Sequence, residues 1–417
     1  MIILGIETSC DETALALIEK RLDQQGQPEC RVLASLVHSQ ADLHSAYGGV
    51  YPSLAKREHG HNLVPLLHQL FLKASEAGWP ETENKESIEK QVLADLAKNF
   101  QDTIDMNRSE VSPQNPELFE TFAAAHFLKE KIWPIELIAV TEGPGLEPAL
   151  WVGINFARLL SELWQCPVVP INHMEGHIVG SLWSDKIRAT TWQKLAVPEW
   201  PAIALLISGG HTELVTVNSP GQYQIIGQTR DDAVGEAFDK AARLLGLPYP
   251  GGPHLSLWAR QAEDLGLESP VKLPRPMIHS EDCDFSFSGL KTAVLYAVRE
   301  APLDTKGLMS EDFKKALALE FELAVTEVLA SKLSRAIEVT GARTIILGGG
   351  VSANTRIRNR LVITAAKLGI PVFLPDHQIT GDNALMIALA AAWYDHPTLS
   401  ATELKAQGTK TLNEPRV

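Results

Sequence analysis

The chain has 417 residues, enough for two domains of ordinary size, and its hydrophobic fraction of 45% is that of a folded globular protein. A net charge of −14 excludes a general binder of polyanions, because phosphate contacts need clustered Lys and Arg. The absence of an apolar run of about 18 residues excludes a membrane-spanning helix, and four scattered cysteines without a C-x-x-C pair suit a reducing cytoplasm.

The N-terminus, Met1 to Glu7, has no basic leader and reaches a glutamate at once, so it reads as a first strand and not a signal peptide. Thr8-Ser9-Cys10-Asp11-Glu12-Thr13 is a small polar turn, and strands follow at 14–18 and 32–37. Hydroxyls and backbone N–H groups in such a turn can grip phosphate. Asp11 and Glu12 can order a metal–phosphate group or a water. Lys56-Arg57 with His59 and His61, and later Arg356, Arg358 and Arg360, are basic clusters of the kind that ordinary solvated surface also carries. A helix is expected over 59–74 and a strand over 135–140. Between them, Ile88, Val92, Leu93, Leu96 and Phe100 recur at helical spacing and Ser112-Pro113-Gln114-Asn115-Pro116 interrupts, which suggests an inserted helical hairpin without catalytic residues. Glu142-Gly143-Pro144-Gly145 is a tight loop before a helix over 151–164.

A short apolar run, Pro167 to Ile171, then leads into His173-Met174-Glu175-Gly176-His177. In a helix the two histidines lie one turn apart on one face and can hold a single metal ion; they can equally be core or capping histidines. Glu175 points roughly 200° from His173, at about 100° per residue, so it is poorly placed as the base of an H-E-x-x-H protease. Asp382, in Thr380-Gly381-Asp382-Asn383, is a candidate third ligand, and its ordinary role is helix N-cap.

The second half repeats the layout of the first. Strands at 202–207, 214–217 and 223–226 surround the turn Ser208-Gly209-Gly210-His211-Thr212. A helix over 233–245 carries Glu236, Asp239 and Lys240, Tyr249-Pro250-Gly251-Gly252-Pro253 makes a rigid turn, and Ser286 to Lys291 opens another helix. A long helix over 311–340 precedes a buried strand, 344–347, that ends in Gly348-Gly349-Gly350-Val351-Ser352-Ala353-Asn354. Glycines between a strand end and a helix start form nucleotide sites in α/β folds, and tight turns as well. A last strand is expected over 371–374. Strand, polar turn, strand, strand, then helices, occurring twice, suggests duplicated domains.

These residues resemble a known family. Ile6 to Thr13, Tyr47-Gly48-Gly49-Val50, His173 to His177, Ser208 to Thr212, Gly235-Glu236-Ala237-Phe238-Asp239-Lys240, Tyr249 to Pro253, Asp284 to Thr292, Gly348 to Asn354 and Gly381-Asp382-Asn383 occur in the order found in the tRNA threonylcarbamoyladenosine-forming transferases, formerly described as O-sialoglycoprotein endopeptidases. The resemblance spans nearly the whole chain apart from the insert and the C-terminal tail. It implies an actin-like ATPase fold of two duplicated ribonuclease-H-like domains. The domains are expected at 1–172, with the insert at about 75–133, and at 173–395, followed by a tail over 396–417. It implies transfer of threonylcarbamoyl from threonylcarbamoyl-AMP to the N6 amine of the adenosine just 3′ of the anticodon, in tRNAs reading codons that begin with A. It implies His173, His177 and Asp382 as ligands of one divalent metal, usually taken as iron(II). Leu206, Ile207, Ser208, Gly209, Gly210, Asp239, Gly252 and Asn354 are implied to bind ATP or the adenylate, and Asp11 or Glu12 is a candidate base. The implied partners are a paralogous actin-fold protein and a small ATPase, with no membrane, in the cytoplasm.

Ser53 stands where the family usually has glutamate, and Glu147-Pro148 where small or apolar residues are usual; these departures bear on the tRNA path and partner contacts. Rival readings are a metallo-endopeptidase, a non-catalytic scaffold paralogue, and an actin-fold sugar kinase or carbamoyltransferase acting on a small molecule.

Overall fold

The first strand, β1 (Ile2–Glu7), is buried along its whole length, which explains an unbroken apolar run closed by a single glutamate. The computed structural model describes residues 1–79, 82–83, 98, 115–125, 127–183, 191–303 and 307–413. Of the helical hairpin expected at about 75–133, residues 84–97 and 99–114 lie outside the described residues, while Pro116–Ala123 is a helix whose Leu118, Phe119 and Phe122 join the core of unit 1. The chain divides into two compact units: Met1–Leu43, Val50–Ala196 and Asp382–Val417 form unit 1, and His44–Gly49 and Val197–Gly381 form unit 2.

In unit 1, β1 pairs antiparallel with β2 (Glu12–Leu22), and β2 with β3 (Pro28–Ser39). On the other side β1 runs parallel to β4 (Leu137–Gly143), and β4 to β5 (Val168–Asn172). The order across the sheet is β5-β4-β1-β2-β3, with the short segment Gln193–Lys194 beside β3. Helices α1 (Pro52–Glu76) and α2 (Glu147–Trp164) cover the sheet, and Leu63, Leu67 and Phe71 of α1 share one core with Leu4, Ile6, Leu15 and Leu17 of the strands. The helix expected over 59–74 therefore begins earlier, at Pro52, whose fixed φ suits a first turn. Ser53 is exposed in that first turn. Glu147-Pro148 opens α2, where an acidic side chain and a proline favour a helix start.

The last helix, Ala384–Trp393, packs on β1 and on α3 (His173–Gly180). Close approach is possible because β1 carries Gly5: a Cβ there would run into the Ala384 carbonyl oxygen. Gly176 and Gly180 of α3 make room for Met386 and Ile387 in the same way. Residues 173–183, 191–196 and 382–395, grouped with the second domain from sequence, thus belong to unit 1. The C-terminal tail also belongs there. Gln407 N donates to the Glu142 carbonyl (2.7 Å), Gly145 N donates to the Gly408 carbonyl (3.1 Å), and Lys410 pairs with Glu142 at 2.6 Å.

In unit 2, β6 (Ala202–Ile207) pairs antiparallel with β7 (Thr212–Ser219), and β7 with β8 (Gln222–Gln228). β6 runs parallel to β9 (Thr344–Gly348), and β9 to the short β10 (Val372–Phe373). The order β8-β7-β6-β9-β10 repeats the third-second-first-fourth-fifth order of unit 1. The same five-strand topology occurring twice, with helices after it, is the duplicated actin-like ATPase arrangement expected from the sequence. Helices α4 (Val234–Leu244), α5 (Gly251–Asp264), α6 (Ser288–Arg299), α7 (Glu311–Thr340) and α8 (Thr355–Leu368) complete unit 2. Its core joins Ile203, Leu205 and Leu347 of the sheet to Phe238, Phe321 and Leu329 of the helices. The helix expected to open at Ser286 starts at Ser288, where Asp231 Oδ1 accepts from the N–H groups of Phe287 (2.8 Å) and Ser288 (3.2 Å). Among the described residues, no helix is long and apolar enough to cross a membrane.

Glu213 of β7 has a buried carboxylate oxygen without a hydrogen-bond partner among the described residues. Burial pushes its carboxyl up to about 7, against about 4.3 in an unfolded chain. The folded chain therefore keeps this proton where the unfolded chain has lost it, and stability falls as pH rises through that interval. Glu213→Gln is expected to melt a few degrees above the wild type at pH 8, with the difference vanishing near pH 4. Calorimetric melts at the two pH values check this.

Candidate functional site

Asn172 makes the local structure of the histidine pair. Its side chain accepts from Met174 N (2.9 Å) and Glu175 N (3.4 Å), capping α3 so that the helix begins at His173. His173 and His177 then fall one turn apart, with ring centroids 4.7 Å apart and edge to face. Asp382 reaches them from the start of the last helix. The cap of that helix is Asn383, which accepts from Met386 N at 3.0 Å, and not Asp382. Asp382 is left to face the histidines: Oδ1 is 3.4 Å from His173 Nε2 and 3.2 Å from His177 Nε2.

The donor set suits a metal ion. One ligand atom from each of His173, His177 and Asp382 lies within 4.8 Å of the others. Bonds of about 2.1 Å to a tetrahedral ion place ligand atoms roughly 3.4 Å apart, close to the two nitrogen–oxygen separations. His177 Nε2 is buried and lacks a properly aligned hydrogen bond, so its lone pair has no better use among the described residues.

The surroundings are strongly acidic. Burial works against charge on Asp382, but His173 and His177 hold it far below the usual carboxylate range. Burial also works against an imidazolium at His173, yet Asp382 and Glu7 raise it well above the ordinary histidine value. Glu12, at the start of β2, is pushed up to about 10 by burial and then by Asp382, Asp11 and Glu7. The carboxyl groups of Glu7, Asp11, Glu12 and Asp382 thus share one region with the two imidazoles. The expected Asp11–Glu12 pair belongs to the same neighbourhood as the three ligand candidates.

Backbone bonds hold the turn that carries this pair. Gln40 N donates to the Asp11 carbonyl (3.0 Å), and buried His59 lies 3.1 Å from the Cys10 carbonyl through Nε2 and 2.7 Å from Thr13 Oγ1 through Nδ1. Glu175 is also buried, but accepts from Tyr394 Oη at 2.7 Å, as its position on the opposite face of α3 requires.

The eight residues expected at the nucleotide converge in unit 2, at the ends of β6 and β9. Leu206 and Ile207 are fully buried in β6 and lead into the turn that follows it. Ser208, Gly209 and Gly210 form the following turn, closed by Ser208 N donating to the His211 carbonyl at 2.9 Å. A Cβ on Gly209 or Gly210 would meet no atom within 4 Å, so the turn faces open space. Gly235 lets α4 start directly against it, since a Cβ there would lie 2.6 Å from the Ser208 carbonyl oxygen. Asp239 accepts from Gly251 N (2.7 Å) and so fixes the start of α5, beside Gly252. Asn354 caps α8 by accepting from Ile357 N (2.9 Å), and donates to Ser256 Oγ (2.8 Å) and Glu322 Oε1 (2.6 Å). Helix starts and open glycine backbone at one edge offer N–H groups to an anion.

Sequence reasoning missed Glu7, Ser9 and Thr141, and it set His59 in a basic cluster of solvated surface, whereas the ring is fully buried and bonded to the turn. The signal for Glu7 was available: a carboxylate ending an otherwise apolar strand must have a buried partner.

The model of the tRNA N6-adenosine threonylcarbamoyltransferase family matches residues 31–77 and 115–389. The tRNA N6-adenosine threonylcarbamoyltransferase of Nitrosospira multiformis is 39% identical over 94% of this chain and 90% of its own length. Those of Herminiimonas arsenicoxydans and Burkholderia ambifaria are each 40% identical over 94% of this chain, and 91% and 92% of their own lengths. Among solved structures, HypF from T. kodakarensis is 15% identical, over 67% of this chain and 43% of its own, with a TM-score of 0.46, too remote to carry any conclusion. The matched segments include α3, the glycine turns of unit 2 and the start of the last helix, and the chain belongs to the tRNA N6-adenosine threonylcarbamoyltransferase family.

Proposed function

We propose that this acyltransferase moves the threonylcarbamoyl group of threonylcarbamoyl-AMP to the N6 amine of the adenosine just 3′ of the anticodon, in tRNAs reading codons that begin with A. The observation that carries the reading is the meeting of His173, His177 and Asp382 within 4.8 Å, in a chain of this family. In the reaction, N6 bonds to the carbamoyl carbon, the anhydride C–O bond breaks, and AMP leaves with the electron pair. The candidate acceptors of the amine proton are Asp11 and Glu12, and Glu12, whose carboxyl is pushed up to about 10, must first be ionised to serve.

His173, His177 and Asp382 would hold a divalent ion, iron(II) on the family resemblance, which supplies Lewis acidity toward carbonyl or phosphate oxygen. Backbone N–H groups of Ser208, Gly209 and Gly210 receive the phosphate charge of the adenylate or ATP. Leu206 and Ile207 contribute backbone, Asp239 and Asn354 hold the starts of α5 and α8 in place, and Gly252 keeps the α5 start open. Separate Asp11→Asn and Glu12→Gln variants assign the base by which one removes the acid limb of the rate profile, the fall in rate as the base takes up a proton. Glu175, bonded to Tyr394, does not serve as the base of a protease. Retention of all three ligand candidates disfavours the scaffold reading.

Replacing His173 or His177 by alanine, or Asp382 by asparagine, is expected to abolish transfer and bound metal while shifting the melting temperature by only a few degrees. Elemental analysis, calorimetry and nucleoside mass spectrometry of tRNA read the three quantities. Unchanged metal content in all three variants would overturn the site.

The proposed setting is the cytoplasm, with a paralogous actin-fold partner and a small ATPase. At a net charge of −14, long-range attraction to tRNA is weak or repulsive, so a basic surface must be local or borrowed. Purified chain given threonylcarbamoyl-AMP and tRNA at physiological salt is expected to turn over slowly alone and faster with those partners. Full multiple-turnover activity from the chain alone refutes the dependence.

A further inference from the structure

We infer that Glu7 is the positioning residue that fixes the proton of His173 on Nδ1 and so presents Nε2 to the metal; this rests on the metal reading above. Glu7 ends β1 and is fully buried. Its Oε2 lies 3.0 Å from His173 Nδ1 and accepts from Thr141 Oγ1 at 2.6 Å. Its Oε1 accepts from Ser9 N at 2.5 Å. The carboxylate is thus held from two directions before it meets the imidazole. An ionised carboxylate only accepts hydrogen bonds, so the nitrogen beside it must carry the proton. Ser9 Oγ, 3.2 Å from the same Nδ1, can accept a second share of that proton.

The other nitrogen, Nε2, points to Asp382. Glu7 sits behind the ring, on the side away from the three converging atoms, and is not itself a ligand. A buried carboxylate is expensive without a charged or hydrogen-bonding partner, and the Nδ1–H of His173 joins Thr141 and Ser9 in supplying those hydrogen bonds. A carboxylate that orients a ligating histidine also raises its basicity, and such partners typically contribute about 10–100-fold to metal affinity. In Glu7→Gln, an amide NH₂ must face either the Ser9 N–H or His173 Nδ1. The first arrangement opposes two donors. The second moves the imidazole proton to Nε2 and blocks the ion.

The test titrates Zn(II) alone into the full chain and records nitrogen-15 spectra of its histidines. The wild type is expected to bind one Zn(II) through His173 Nε2, with Nδ1 protonated. Folded Glu7→Gln is expected to bind about 10–100-fold more weakly. Equal affinity in folded Glu7→Gln overturns the inference, as does His173 bound to zinc through Nδ1. The second measurement needs only the wild type, so it decides the question even where the variant does not fold. A wild type that binds no Zn(II) overturns the metal reading itself, and this inference with it.

Discussion

A glycine in the first strand lets the last helix lie directly against the sheet of unit 1. Any side chain at Gly5 would collide with the Ala384 carbonyl, and the helix would have to lift. Small residues do the same between α3 and the last helix, at Gly176 and Gly180. Interiors pack at near-crystalline density, so such a displacement does not stay local. The position of Asp382 relative to His173 and His177 is set by these contacts, because Asp382 directly precedes Asn383, the cap of that helix. The first strand also ends in Glu7, so the same packing places the carboxylate behind His173.

Electrostatics then selects what this geometry is good for. Two buried imidazoles and several carboxylates cannot all keep their preferred charges without water. Protons answer part of the imbalance: Asp382 and Glu7 favour the imidazolium of His173, and burial with neighbouring carboxylates favours the neutral carboxyl of Glu12. The proposed divalent cation would answer it more fully, since it would allow neutral imidazoles beside ionised carboxylates. The edge of unit 2 is built otherwise, from main-chain N–H groups at helix starts and from glycines. Its polar side chains, Asp239 and Asn354, are occupied in holding backbone in place.

Local pattern carried much of this into the sequence. The one-turn histidine spacing, the glycine turn after β6 and the repeated strand layout are all short-range signals, and each corresponds to a structural element. What the sequence hid depends on contacts between distant residues. Asn383 and Asp382 are equally good caps on paper, and only the packing of the last helix shows which one faces inward. The burial of Glu7 was signalled by its strand, but its partner is 166 positions away. The placement of α3 with unit 1 likewise follows from its contact with a helix more than two hundred residues later.

Unit 1 is assembled from three separate stretches of chain, and the last begins at Asp382. Most of unit 2, from Val197 to Gly381, is one continuous stretch. During synthesis unit 2 has its strands and helices available before unit 1 can close. Until the final stretch emerges, β1 lacks its covering helix, and His173 and His177 lack their carboxylate.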